Sequence, residues 1–204
     1  MKNWILFFFI ASSAHAAPLA SLPGYDWEII PTNPVCATVA QKAGAVDRQG
    51  QTLLNYPQNA WCKKSDLTTN LERTDTPDYR LLQWISQDDV THIRMAYLSF
   101  SNKRVAQALC QALRRGVKVD LVLDSGKSSP LTDELEACQA DNFNYYPRGN
   151  VPGIGFAHNK VTLITRKENA NTQIVISSGN LTSGTVLLHE NWHFVSVPTA
   201  SHFT

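Results

Sequence analysis

Apolar positions follow two rhythms from residue 76 onward. Leu81, Leu82, Trp84 and Ile85 recur at the spacing of one helix face, behind Thr76-Pro77, a cap followed by proline at the first helical position. His92 to Phe100 reads as a strand. Ser101 then opens a helix with Val105, Ala108, Leu109, Ala112 and Leu113 inward, and Arg114-Arg115-Gly116 supplies a charged last turn and a glycine stop. Val117 to Leu123 alternates and predicts the next strand, ending at Asp124. Ser129-Pro130 starts another helix through Cys138, and Phe143 to Tyr146 forms a short strand.

This strand–helix–strand–helix order implies right-handed crossovers and a largely parallel sheet. Beyond it the chain turns β-rich: Lys160 to Thr165, a polar turn at Lys167 to Asn171, Thr172 to Ser177, and finally Asn191 to Val197. There is no internal repeat. The predicted fold class is α/β, a mixed β-sheet flanked by helices. Residues 17–74 carry Pro, Gly, Asn and Thr with little periodicity and read as an irregular N-terminal leader packed on a domain covering 75–204.

The first sixteen residues fall outside the fold. Lys2 is a short positive start, Trp4 to Ile10 is an unbroken apolar run, and Ala14-His15-Ala16 is a small-x-small cleavage signal. A spanning helix needs about 20 apolar residues, so 1–16 reads as a signal peptide and the mature chain as periplasmic or secreted. An uncleaved anchor is the alternative. Export makes the four cysteines readable as disulfides. Four cysteines allow three pairings. The favoured one is Cys36–Cys62, stapling the leader, with Cys110–Cys138 joining two neighbouring helices. Lys+Arg 18 against Asp+Glu 17 gives a net charge of only +1, which excludes a basic nucleic-acid-binding tail. An anionic substrate must be held by a local constellation.

One constellation stands out. On a strand, residues two apart share a face, so His158 and Lys160 project together at the start of one strand, and Ser178 and Asn180 at the end of the next. If the strands are neighbours, an imidazole, an ammonium, a hydroxyl and an amide converge. That set suits a tetrahedral phosphate: lysine neutralises charge, the amide and hydroxyl donate to non-bridging oxygens, and histidine can attack phosphorus. Singly, His158 reads as a hydrogen-bonded histidine at a strand start, and Gly179-Asn180 as a turn pair.

His158-Asn159-Lys160 followed by SSGNLTSG from Ser177 resembles the HxK…GSxN signature of the phospholipase D superfamily. The upstream IRMAYLSF…ALCQALRRGVKVDLVLD is similar to the strand–helix–strand unit that precedes the signature there. The resemblance covers roughly residues 75–197 and implies a metal-free mechanism with no cofactor. His158 would form a covalent phosphohistidine, Lys160, Ser178 and Asn180 would grip the phosphoryl oxygens, and Glu190 falls where the family often places a carboxylate that orients the imidazole. Three positions depart from the pattern. Thr165 stands at the family's aspartate, Ser177 where the motif has glycine, and the turn at Lys167 to Asn171 is longer than usual.

Family enzymes use two such motifs, the second histidine protonating the leaving alkoxide. A single copy here implies either a homodimer that completes the site or a missing second half. The resemblance therefore predicts an exported phosphodiesterase. Neutral charge tilts the substrate towards a phospholipid, with a secreted nuclease as the alternative and an inactive phosphate-ester binding module as the reading from another class.

His189-Glu190-Asn191-Trp192-His193 also matches HExxH, the zinc-protease helix motif. Its context alternates like a strand, where residues four apart lie roughly 13 Å from each other, too far to share one metal. No metal is therefore expected. Asp124 reads as a strand-end turn cap and Asn180-Leu181-Thr182 as an incidental glycosylation sequon. Arg148, Gly149, Gly153 and Gly155 form a flexible approach to His158, and Trp27, Trp61 and Trp84 read as packing residues.

Overall fold

The computed structural model describes residues 25–37, 39–41, 49, 60–126, 129–149, 156–167 and 171–198. Residues 1–16, read from the sequence as a signal peptide, Gly153 and Gly155 lie outside these. A seven-stranded mixed sheet runs in the order β1-β9-β8-β7-β4-β5-β6. Three of its strands are parallel: β4 (Val90–Tyr97), β5 (Lys118–Asp124) and β6 (Phe143–Arg148). The rest pair antiparallel: β7 (Lys160–Arg166), β8 (Asn171–Ser177), β9 (Asn191–Pro198) and β1 (Asp26–Pro31). A separate hairpin joins β2 (Val39–Gln41) to β3 (Ala60–Cys62), followed by the short helix α1 (Leu67–Glu72).

The helices begin where local chemistry starts them. In α2 (Pro77–Ile85) the Thr76 hydroxyl accepts from the Tyr79 amide, and in α4 (Pro130–Cys138) the Ser129 hydroxyl accepts from Leu131. Helix α3 (Lys103–Arg114) starts one residue later than the sequence suggests. Its cap is Asn102, whose Oδ1 accepts from the Arg104 and Val105 amides, while its Nδ2 donates to Asp78 at 2.5 Å. Ser101 instead gives its backbone amide to the Leu181 carbonyl at 2.8 Å. Gly116 ends the helix at φ +87°, a backbone state that costs glycine little.

Apolar residues of α2, α3 and α4 bury one sheet face. Leu81, Ile85, Leu109, Leu113 and Leu135 meet Ile93, Met95, Val119, Leu121, Ile164 and Val175 in one core. Trp192 is fully buried beneath them, and Trp84 meets Phe194 edge to face at 5.0 Å between ring centres. Such a pair adds about 0.5–1.5 kcal/mol to what burial alone supplies. The opposite face carries Trp27, Ile29 and Ile176, each 52 % exposed, and a polar group around Asp120. Trp27 is thus not a core residue; its Nε1 donates to His193 Nδ1 at 3.3 Å.

Residues 26–31, within the segment read as leader, form the edge strand β1 on β9. Both disulfides are as expected, Cys36–Cys62 and Cys110–Cys138. The second spans 28 residues and ties α3 to α4. Closing a loop of that length removes roughly 3–4 kcal/mol of unfolded-state entropy. Replacing Cys110 and Cys138 together by alanine is therefore expected to lower unfolding free energy by about that amount in urea titrations, with the fold retained.

Candidate active site

The carboxyl ends of β4 and β5, the start of β7, the end of β8 and the start of β9 share one end of the sheet, where open α/β sheets place their ligands. β7 and β8 are neighbours, as the constellation requires. Val161 pairs with Ile176, so the next register position brings Lys160 level with Ser177. The Leu98 amide donates to the Asn159 carbonyl at 3.1 Å and extends the β4–β7 ladder past the last strand residue. His158 sits just before it and is exposed. The Lys160 Nζ lies 3.1 Å from His158 Nε2 and 3.2 Å from Nδ1.

On the β8 side, Ser178 Oγ donates to Glu190 Oε2 at 2.5 Å and accepts from the Asn191 amide at 2.9 Å. The Ser178 amide donates to the Asn191 carbonyl at 3.0 Å, continuing the β8–β9 ladder. Between Ser178 and Asn180 the chain has no room for a side chain. A Cβ on Gly179 would lie 2.6 Å from Thr185 Cγ2 and 3.1 Å from Glu190 Cγ. Ser177, at the motif's glycine position, is accommodated because its hydroxyl donates to the Gly179 carbonyl at 2.8 Å. The Asn180 carbonyl is held by Thr185 Oγ1 at 2.7 Å, while its buried side-chain Oδ1 meets no partner among the described residues.

Two electrostatic effects oppose each other at Lys160. Partial burial pulls its ammonium below the ordinary lysine value, and the negative charge of Glu190 pushes back. Beneath them lies Tyr97, whose hydroxyl is 3.0 Å from Thr162 Oγ1 and whose pKa burial pushes up to about 12. It stays neutral and serves as a fixed dipole.

Asp124 does more than cap a turn. One carboxylate oxygen accepts from the Gly126 amide at 2.9 Å, and the other from the Ala157 amide at 2.7 Å. It thereby fixes the residue before His158 from β5, which lies two strands away from β7 in the sheet. Sequence reasoning saw only the cap, since nothing local links residue 124 to 157.

Thr165 lies at the far end of β7, five residues from Lys160 and so about 17 Å along the strand. Alternation turns it to the opposite sheet face, where Arg94 Nη1 donates to its hydroxyl at 3.3 Å. The carboxylate on that face is Asp120. It is 2.6 Å from His92 Nε2, 3.7 Å from Arg94 Nε, and accepts from Asn144 Nδ2 at 2.9 Å. Those hydrogen bonds and charges outweigh its partial burial and hold its pKa below the usual carboxylate value. The lost charge at position 165 thus sits away from the phosphate constellation. The HExxH match is not helical: His189 precedes β9 and His193 lies within it.

If Glu190 is what holds the Lys160 pKa up, Glu190→Gln should lower it further. Titration of the Lys160 ammonium by nitrogen-15 NMR is expected to show a downward shift in the variant and no comparable change at Lys118.

A family profile described as "Cardiolipin synthase, PLD-like domain" matches residues 81–203. Among solved structures, the chain is similar to Nuc, a phospholipase D family member from Salmonella typhimurium, at 25% identity and TM-score 0.47, covering 60% of this chain and 76% of that one. NucT from Helicobacter pylori matches at 16% identity and TM-score 0.49, over 65% of this chain and 80% of its own. Yeast tyrosyl-DNA phosphodiesterase matches at 15% identity and TM-score 0.40, over 56% of this chain and 27% of its own. No curated protein sequence matches. The profile takes in both halves of the constellation and the strand–helix units beneath them, and on that ground the chain belongs to the phospholipase D superfamily.

Proposed function

We propose that this chain is a phosphodiesterase working through a covalent phosphohistidine at His158. The observation that carries the reading is an exposed His158 whose ring nitrogens lie 3.1–3.2 Å from the Lys160 ammonium, at the start of the strand next to the one that ends at the Ser178–Glu190 pair. The imidazole nitrogen attacks phosphorus, a P–N bond forms, and the P–O bond to the leaving alcohol breaks. Lys160 shifts from the ring to a non-bridging oxygen and the Asn180 amide donates to another, while the Ser178 hydroxyl, whose one proton goes to Glu190 Oε2, keeps that carboxylate in place. The alkoxide takes a proton from an acid. Water then attacks phosphorus, the P–N bond breaks, and a phosphomonoester leaves with free imidazole restored. Glu190 orients the site through Ser178.

The second acid is the part this chain does not repeat in its sequence. A second copy, apposed across a two-fold axis, would supply His158 from the partner subunit for that role. Two disulfides fit an exported protein. The near-neutral charge supports a phospholipid over a polyanion, as does a family profile whose description names a phospholipid enzyme.

The decisive assay is hydrolysis of bis-p-nitrophenyl phosphate in excess EDTA by the wild-type protein and His158→Ala. Turnover is expected to survive chelation and to fall at least about 10³-fold in the variant. Loss of turnover on chelation, or retention in the variant, contradicts the reading. Competition between phosphatidylcholine vesicles and single-stranded DNA separates the lipid from the nuclease substrate. Light scattering at assay concentration reads the dimer.

A further inference from the structure

We propose that Thr32 is a positioning residue for Glu190. The inference rests on the phosphodiesterase reading for its catalytic consequence, and on geometry alone for the hold itself. Thr32 follows β1 and is 3 % exposed. Its amide donates to the Glu190 carbonyl at 2.8 Å, and its hydroxyl accepts from the Glu190 amide at 2.6 Å. The same hydroxyl donates to the Leu188 carbonyl. One side chain and its own amide thus grip both the N–H and the C=O of Glu190, whose carboxylate in turn holds Ser178.

The grip is itself anchored on both sides. Upstream, Pro31 is paired with Asn191 in the sheet. Downstream, the fully buried Asn70 accepts from the Val35 amide and donates to the Val35 carbonyl, both at 2.8 Å. Asp66 accepts from the Ala37 amide at 3.2 Å, and the Cys36–Cys62 bridge closes the turn. Residues 32–37 are therefore a braced strap, and Thr32 is where it meets the site. Without the hydroxyl, the Glu190 amide loses its acceptor and the residue is free to rotate away from Ser178. Misplacement on the ångström scale at such a site costs up to about 10²-fold in rate.

The test uses Thr32→Val, which keeps the shape and removes the hydroxyl, Thr32→Ala, which cannot crowd the site, and Thr32→Ser, which restores the hydroxyl. With bis-p-nitrophenyl phosphate, Val and Ala are expected to lower kcat about 10-fold with KM within about twofold, and Ser to recover most of it. In a Glu190→Gln background the same Thr32→Val change should add less than about twofold, because the two residues act in series. An equal factor in both backgrounds, or no loss at all, overturns the proposal. Amide hydrogen exchange reads the hold independently of turnover. The Glu190 amide should lose protection in Val and Ala and keep it in Ser, with Phe194 in the core of β9 unchanged in all. If wild-type protein turns nothing over, the phosphodiesterase reading fails and exchange alone decides. Unchanged protection at Glu190 in Val and Ala then overturns the hold as well.

Discussion

The antiparallel register of β7 on β8 is the constraint on which the site depends. Side chains alternate with a period of two, so a slip of one residue would send Lys160 to the opposite sheet face from Ser177. Nothing in the site itself is strong enough to set that register. It is set two and four pairs further in, where Thr162, Ile164 and Val175 are buried under the helices and the Tyr97 hydroxyl meets Thr162 Oγ1. Moving that face to water would expose apolar surface at about 25 cal/mol per Å² and strand the Tyr97–Thr162 pair. The geometry of the candidate site is a by-product of core packing, which is why the site can stay exposed and polar without losing its shape.

Much of this was legible in the sequence because the information was local. Thr76-Pro77 and Ser129-Pro130 place two helix starts, and alternation from Val117 to Leu123 places β5. The phosphate-binding residue types sit at strand ends two apart, so a period of two was enough to group them. Asn102 was missed as the α3 cap because Ser101 beside it is an equally good cap by composition. What decided between them is distant: Leu181 takes the Ser101 and Asn102 amides, and Asp78 takes the Asn102 side chain. β1 was missed for a related reason. It is an edge strand whose residues 26–29 are all exposed, so it shows no buried face in its pattern. Thr32 was out of reach altogether, since its partner lies 158 residues away.

The Thr165 departure shows how a motif can mislead when its residues do different jobs. Within one seven-residue strand, alternation assigns Lys160 to the face that the helices bury and Thr165 to the other. Position 165 then answers to Arg94 and the Asp120 cluster, not to the His158–Lys160 pair. Asp120 already provides a carboxylate there, with an imidazole, a guanidinium and an amide around it. Threonine accepts the remaining Arg94 hydrogen bond without adding a second negative charge beside the first, so the substitution is electrostatically reasonable on that face.

A chain of net charge +1 must attract an anion by local means, and Lys160 is arranged for that. Partial burial removes some of the water from its ammonium and lowers its pKa. A lysine so desolvated gains more from an arriving phosphoryl oxygen than one still hydrated, because less solvent has to be displaced. The same desolvation would favour losing the proton, which would make the residue useless as an anion holder. The negative charge of Glu190 works against that loss. The Glu190 carboxylate engages Ser178, and its backbone is fixed through Thr32. The carboxylate thus favours the charged form of Lys160 while its own oxygen is taken up by Ser178.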